Sequence, residues 1–159
     1  MAITMQVEGL DKIENMLQRL GDQAEGVAAR ALYDGAGVMA NAYSSAAQSI
    51  GAAPFRYAVF KKRPPSFEEK AAVQGKTGIA KFDKNGSEVN TSVGFSGSGY
   101  VTIAGKQKAV RKIANAINSG TSFMEKQPVF RKAARTAAGP ASAAIVAKAD
   151  ELFNQIINE

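Results

Sequence analysis

A chain of 159 residues, 45% of them apolar, is long enough to bury one real core and too apolar to be disordered throughout. It contains neither cysteine nor histidine, which excludes a disulfide framework, thiol chemistry, any Ser-His-Asp system and the commonest transition-metal ligand. Twenty Lys and Arg against fourteen Asp and Glu give a net charge of +6, a balance that fits nucleic acid, an acidic protein partner or plain solubility.

At the N-terminus, Ile3, Met5 and Val7 alternate with Thr4 and Gln6, the period of a half-buried strand. The segment Met1–Gln6 lacks the basic and apolar regions of a signal peptide. No apolar run approaches the roughly 20 residues that span a bilayer. The chain therefore reads as a soluble cytosolic protein with no membrane partner.

After Gly9, the residues Leu10, Ile13, Leu17 and Leu20 fall on one face of an amphipathic helix. Gly21 is expected to end it, with Asp22 capping the next helix. From Gln23 to about Ser49 the chain is Ala-rich and helical. Its small-residue face, Ala28, Ala31, Gly35 and Ala42, suits close approach of another helix; an intrachain contact is the preferred reading, a subunit interface the sharper one.

Residues 51–75 read as a long irregular loop, because Pro54, Pro64 and Pro65 exclude regular structure. A short helix over 66–73 is compatible with Ser66 followed by Glu68 and Glu69, the latter two read as a solvated face. The loop carries Phe55, Tyr57 and Phe60 beside Lys61, Lys62 and Arg63. Aromatics next to cations suit nucleic acid, through stacking and phosphate contact, and equally a protein surface.

Residues 77–83 and 87–95 read as strands joined at Asn85-Gly86, a hairpin signal. Residues 100–104 form a third strand. Lys106, Lys108, Arg111 and Lys112 then open a basic helical segment that contains Val110, Ile113, Ala114 and Ile117. These seven cations, Lys61 to Arg63 and Lys106 to Lys112, are the candidates to face DNA or an acidic partner.

Asn118, Ser119 and Gly120 stop that helix, and Pro128 starts the next at its first position. In the last helix, Gly139-Pro140 marks a kink or a fresh start. Ile145, Ala149, Leu152 and Ile156 form an apolar stripe beyond it.

Catalytic motifs fail on spacing. Gly75-Lys76-Thr77 has Lys70 where a P-loop needs its first glycine, and it precedes a strand. Gly94, Gly97 and Gly99 lack the dinucleotide order. No catalytic, cofactor-binding or metal residue is assigned, and no enzyme activity or cofactor is expected.

The run from Ala116 to Ala133 holds Gly120-Thr121-Ser122, Phe123, Met124, Pro128, Phe130 and Arg131, with Val129 between the Pro and the Phe. It resembles the signature of the gp-ten-like phage tail-component family, whose members are neck or tail-completion proteins of long-tailed phages. Val7-Glu8-Gly9-Leu10-Asp11-Lys12-Ile13 is similar to the family's opening, and Thr77-Gly78-Ile79 sits where the family has Thr-Gly-Leu. The resemblance implies a small α+β subunit. On the elements above, that is one domain over residues 1–159, with a small antiparallel sheet packed against two long helices, an N-terminal strand and a long mobile loop over 51–75. It further implies a ring, a hexamer, at the head–tail junction of the virion, made in the host cytoplasm. Such a ring joins or completes the tail, meets head-closure and tail-tube or tail-terminator proteins, and lets DNA pass with weak nonspecific contact in the lumen. The alternative from charge and the 55–63 loop is a basic nucleic-acid-binding module. Within the motif, Thr121 and Ser122 are expected to satisfy the turn's backbone. Phe123 and Phe130 are expected to clamp the last helix onto the sheet.

Overall fold

The computed structural model describes residues 10–55, 61–81, 83–85, 88–95 and 99–158. The expected strand at Ile3–Val7 lies outside them, as do the loop candidates Tyr57 and Phe60. The fold is mixed α+β: two long helices, α1 (Leu10–Gln48) and α4 (Val129–Asn158), pack together and carry short helices and small antiparallel sheets at one end.

Helix α1 is continuous, so the expected break at Gly21 does not occur. A glycine costs a helix only about 1 kcal/mol relative to Ala. That is too little to end an Ala-rich helix whose face is packed along α4. The two helices run antiparallel: Tyr43 of α1 meets Phe130 at the start of α4, with ring centroids 5.7 Å apart, while Val27 clusters with Leu152 and Ile156 near its end. Midway, Gly35 lets the backbones close in. A Cβ there would lie 2.7 Å from Ile145 Cδ1 and 3.0 Å from the Ala141 carbonyl oxygen. The small-residue face thus makes an intrachain contact, through buried Ala31 and Gly35.

Helix α4 also runs unbroken through Gly139-Pro140, so no fresh helix starts there. Proline removes one N–H and normally costs a helix about 3 kcal/mol. Here Pro140 faces solvent, while Ala137 and Ala141 on the other side stay buried and hold the helix in place.

Helix α2 (Phe67–Val73) forms as the Ser66 signal suggests. Strands β1 (Gly78–Ile79) and β2 (Asp83–Asn85) pair antiparallel with β4 (Val93–Gly94) and β3 (Glu88–Asn90). Between the two ladders, the Ala80 N–H donates to the Ser92 carbonyl, and the Thr91 hydroxyl donates to the Ala80 carbonyl. Asn85 pairs with Glu88 in this ladder, and Gly86 of the expected turn lies outside the described residues.

The second hairpin was not expected. Strand β5 (Tyr100–Ile103) turns at Ala104-Gly105, both at positive φ, into β6 (Lys106–Ala109). Lys106 and Lys108 therefore sit on a strand rather than at a helix start. Two consecutive left-handed residues make the tight turn that matches strand twist. Ala is a rare choice for the first of them, so the sequence carried no turn signal. Helix α3 (Val110–Ser119) begins directly after β6. The expected single sheet is replaced by two separate hairpins.

The main core lies in this body. Ile50, Val73, Val110 and Ile117 are fully buried, with Ile103, Ile113, Met124 and Phe130 around them. Phe95 packs edge-on against Phe130 at 4.9 Å. At the other end of the α1–α4 pair, the stem, the described residues form a smaller cluster: Val27, Leu152 and Ile156, flanked by Leu20, Ala149 and Phe153.

Candidate functional site

The connection between α3 and α4 is built almost entirely from its own polar groups. Gly120 closes α3 with φ 74°, and its N–H donates to the Ala116 carbonyl. A Cβ at Gly120 would also press on Lys126, 3.0 Å from its Cβ. The Thr121 hydroxyl accepts from the Met124 N–H at 3.0 Å and from the Phe123 N–H at 3.3 Å. Asn118 reaches from α3 to accept the Arg131 N–H with its side-chain carbonyl, satisfying one of the open donors at the start of α4. Gln127 clamps Gly51, accepting its N–H at 2.9 Å and donating to its carbonyl at 2.7 Å.

Residues 61–66 lie along this connection and do not form a free loop. The Arg63 N–H donates to the Phe123 carbonyl and the Glu125 N–H to the Arg63 carbonyl, a short parallel bridge. The Ala53 N–H donates to the Pro65 carbonyl. Pro65 and Ser66 are fully buried. Of the 51–75 segment, the described residues are therefore fixed structure, in contrast to the mobile loop expected.

Behind the bridge is a buried ionic node. The guanidinium of Arg63 grips Glu69 with two hydrogen bonds, 2.7 and 2.8 Å. The Ser66 N–H donates to the same carboxylate at 2.9 Å, while the Glu69 N–H donates to the Ser66 hydroxyl. That is a reciprocal capping box on α2. Lys108 adds a third cation contact at 3.5 Å, and the Phe55 ring stacks under Arg63 at 4.8 Å. Burial alone would push the Glu69 carboxyl up. The Arg63 hydrogen bond, the Ser66 N–H and the charges of Arg63 and Lys108 together hold it below the usual carboxylate range. The Arg63 guanidinium is raised, chiefly by its hydrogen bond to Glu69 and against the effect of burial.

Two candidate assignments change accordingly. Arg63 is only 9% exposed and saturated by Glu69, so it is a structural residue and not a DNA-facing cation. Glu69 is 1% exposed, where a solvated helix face was expected. Ser66-x-x-Glu69 has capping-box spacing, and that signal was present in the sequence. The remaining cations Lys61, Lys62, Lys106, Arg111 and Lys112 are exposed, and Lys108 is partly so.

Motif residues divide as well. Met124 and Phe130 are buried, and Phe130 packs on Tyr43 and Phe95 as a clamp. Phe123 is 49% exposed, so it does not clamp α4. Ser122 and Arg131 are exposed, and Pro128 is half-buried just before α4.

Two surface clefts gather these groups. One, of about 480 Å³, is rimmed by Arg111 and Arg131 over Tyr43, Phe95 and Phe130. The other, of about 300 Å³, lies between β5, β6, α3 and the connection. Tyr100, 73% exposed, and Phe123 form its lips; Lys108 and Lys112 line it; Ile113 and Met124 form its floor. Tyr100, Phe123 and Met124 are of the residue types enriched at protein-binding surfaces, whereas Lys108, Lys112 and Glu69, which also line the cleft, are not. Tyr100 was missed in sequence because an aromatic in a strand reads as core. Among the described residues, no cluster of three His, Cys, Asp or Glu could hold a metal ion, and no helix is long and apolar enough to cross a membrane.

Comparison with protein-family models, with curated proteins and with solved structures finds no match.

Proposed function

We propose that the chain is a structural subunit of the head–tail junction of a long-tailed phage, forming a ring that joins or completes the tail and lets DNA pass. The observation that carries this reading is the state of the 116–133 motif. Gly120, Thr121, Asn118 and Gln127 are spent on backbone hydrogen bonds and a tight closure. Among the motif's exposed residues, Phe123 lines an interface-like cleft. That is the arrangement of an assembly element, with no reactive group presented. The reading includes the finer features implied by the resemblance: six copies, head-closure and tail-tube or tail-terminator neighbours, a place in the virion neck, and no cofactor or enzymatic step.

The test is genetic and visual. A phage lacking the gene should accumulate filled heads and free tails. The purified chain should restore infectious particles and appear as rings on the joined necks. Normal particles without the chain would overturn the proposal.

A nucleic-acid-binding reading has one observation in its favour: residues 35–140 hold sixteen Lys and Arg against five Asp and Glu. It predicts DNA binding that weakens steeply with salt and falls on Lys61→Ala with Lys62→Ala. Arg63 is outside this set because it is buried.

A further inference from the structure

Helix α3 meets the start of α4 in a cleft that gathers hydrogen-bond donors and no carboxylate. Arg111 stands in the first turn of α3 and Arg131 in the first turn of α4. Both line the same space of about 480 Å³, together with Asn115 and Asn118, and no Asp or Glu lines it. Among the described residues neither guanidinium has an ion-pair partner. The sequence accounts for this: α3 contains no Asp or Glu, and α4 has none before Asp150, about five turns further on. The positive end of α4 adds to the field at Arg131. Asn118 spends its side-chain carbonyl on the Arg131 N–H at 3.1 Å, which leaves its amide Nδ2 as a further donor.

Beneath these donors the cleft is apolar. Tyr43, Phe95 and Phe130 line it. Phe95 and Phe130 are buried, and the three rings pack on one another with centroids 4.9, 5.7 and 6.3 Å apart. The two Phe rings therefore leave no open face for a nucleobase to stack on. A ligand that fills this cleft needs an oxyanion with apolar atoms directly behind it. An acidic side chain has that form, a carboxylate on a short aliphatic stem. A phosphodiester does not, because its neighbours are sugars and further phosphates. Two arginines suit the same chemistry, since a guanidinium takes a carboxylate through two parallel hydrogen bonds. Arg and Tyr are also the types that dominate protein-binding hot spots.

We propose that the Arg111–Arg131 cleft receives an acidic segment of a partner protein. One carboxylate of that segment accepts hydrogen bonds from both guanidiniums and from Asn118. Its aliphatic stem and an adjoining apolar side chain cover Tyr43, Phe95 and Phe130. The Tyr100–Phe123 cleft differs on this point: Glu69 lines it and already holds Lys108 at 3.5 Å. The contact does not depend on the neck reading; it states the chemistry that a partner, a neck protein included, brings to this face.

The probe is a capped peptide of alternating leucine and glutamate, with the leucine–glutamine peptide as control. Binding is followed through the arginine Nε–H signals in nitrogen–proton correlation spectra. Expected at millimolar peptide are shifts of Arg111 and Arg131, while Arg30, on the stem beside Asp22, stays in place. The glutamine peptide should bind about tenfold more weakly, the loss that follows when a charge-assisted hydrogen bond becomes a neutral one. Both arginines are exposed, so reversing their charge does not disturb the core. Arg111→Glu with Arg131→Glu should abolish binding of the glutamate peptide and create binding of a leucine–lysine peptide. Arginine signals that ignore the glutamate peptide, or that move equally with the glutamine peptide, overturn the proposal. Equal shifts with inorganic phosphate would make the cleft a general anion hole, and a short DNA duplex that displaces the peptide at equal concentration would assign it to nucleic acid; either result also overturns it. Failure of these arms removes this site and leaves the neck reading standing, whereas normal particles without the chain overturn the neck reading alone.

Discussion

The body and the stem of this protein hold together in opposite ways. In the body, short elements with little propensity of their own are fixed by polar chemistry. One buried carboxylate, Glu69, joins α2, the 61–66 segment and β6, and two amide side chains, Asn118 and Gln127, tie distant backbone. In the stem, two long helices rely on propensity and on a thin apolar contact, with three buried residues in the terminal cluster. Stability in the body is concentrated in a few groups, whereas in the stem it is spread over many weak ones. Single substitutions should therefore have large effects in the body and small, sign-dependent effects in the stem.

The largest expected effect is Glu69→Ala. It leaves the Arg63 guanidinium buried without its partner, a loss worth about 3–5 kcal/mol, readable in denaturant unfolding. Arg63→Met in the same background should recover part of the loss, because removing both charges is cheaper than stranding one. A loss below about 1 kcal/mol would mean that the node is peripheral and the contrast with the stem false.

Acid should find the same node. The folded-state Glu69 carboxyl is depressed from its ordinary value of 4.5. Its contribution is thus fully present above that value and is lost as pH falls through the lower folded value. Thermal unfolding followed from pH 6 downward should show a steepening loss below about 4.5 that is much reduced in Glu69→Gln. An unchanged profile in Glu69→Gln would place the acid sensitivity elsewhere.

How far the sequence showed these regions follows from the same physics. The stem was legible because its information is periodic: the Leu10–Leu20 seam and the Ile145–Ile156 stripe are visible at helical spacing. Only its punctuation misled, since Gly21 as a helix end and Pro140 as a fresh start are local costs that packing outweighs. In the body, α3 was legible for the same reason, from Val110, Ile113, Ala114 and Ile117. The Ala104-Gly105 turn and the burial of Arg63 were not. Neither is a local property; each depends on which strand or carboxylate the fold places opposite. The candidate cleft was half legible. Phe123, Met124, Lys108 and Lys112 were all singled out, but nothing in the chain showed that they share one groove with Tyr100.

The crossing point at Gly35 lies between the two regimes. Gly35→Ala improves helix propensity by about 1 kcal/mol, yet its Cβ would overlap Ile145 Cγ1. Overpacking costs about 1–3 kcal/mol, so the net change should be destabilising. Ile145→Ala should cancel the penalty in the double variant, since it removes the atoms that clash. Additive losses would show that the approach at Gly35 is not what sets the helix spacing.

The smallest effects sharpen the contrast most. A Cβ at Gly21 or Gly26 meets nothing within 4 Å, so Gly21→Ala and Gly26→Ala should each stabilise α1 by up to about 1 kcal/mol. Where that gain appears is the informative part. If the stem opens independently of the body, the gain slows amide hydrogen exchange over residues 15–34 and leaves Ile113 and Ile117 unchanged, because local opening reports only the segment that opens. If stem and body unfold as one unit, protection rises equally in both. The thin terminal cluster argues for the first outcome: with so little apolar area buried, the stem can open without breaking the Glu69 node or the Phe95–Phe130 contact. Uniform protection would show that α1 transmits the body's stability along its whole length.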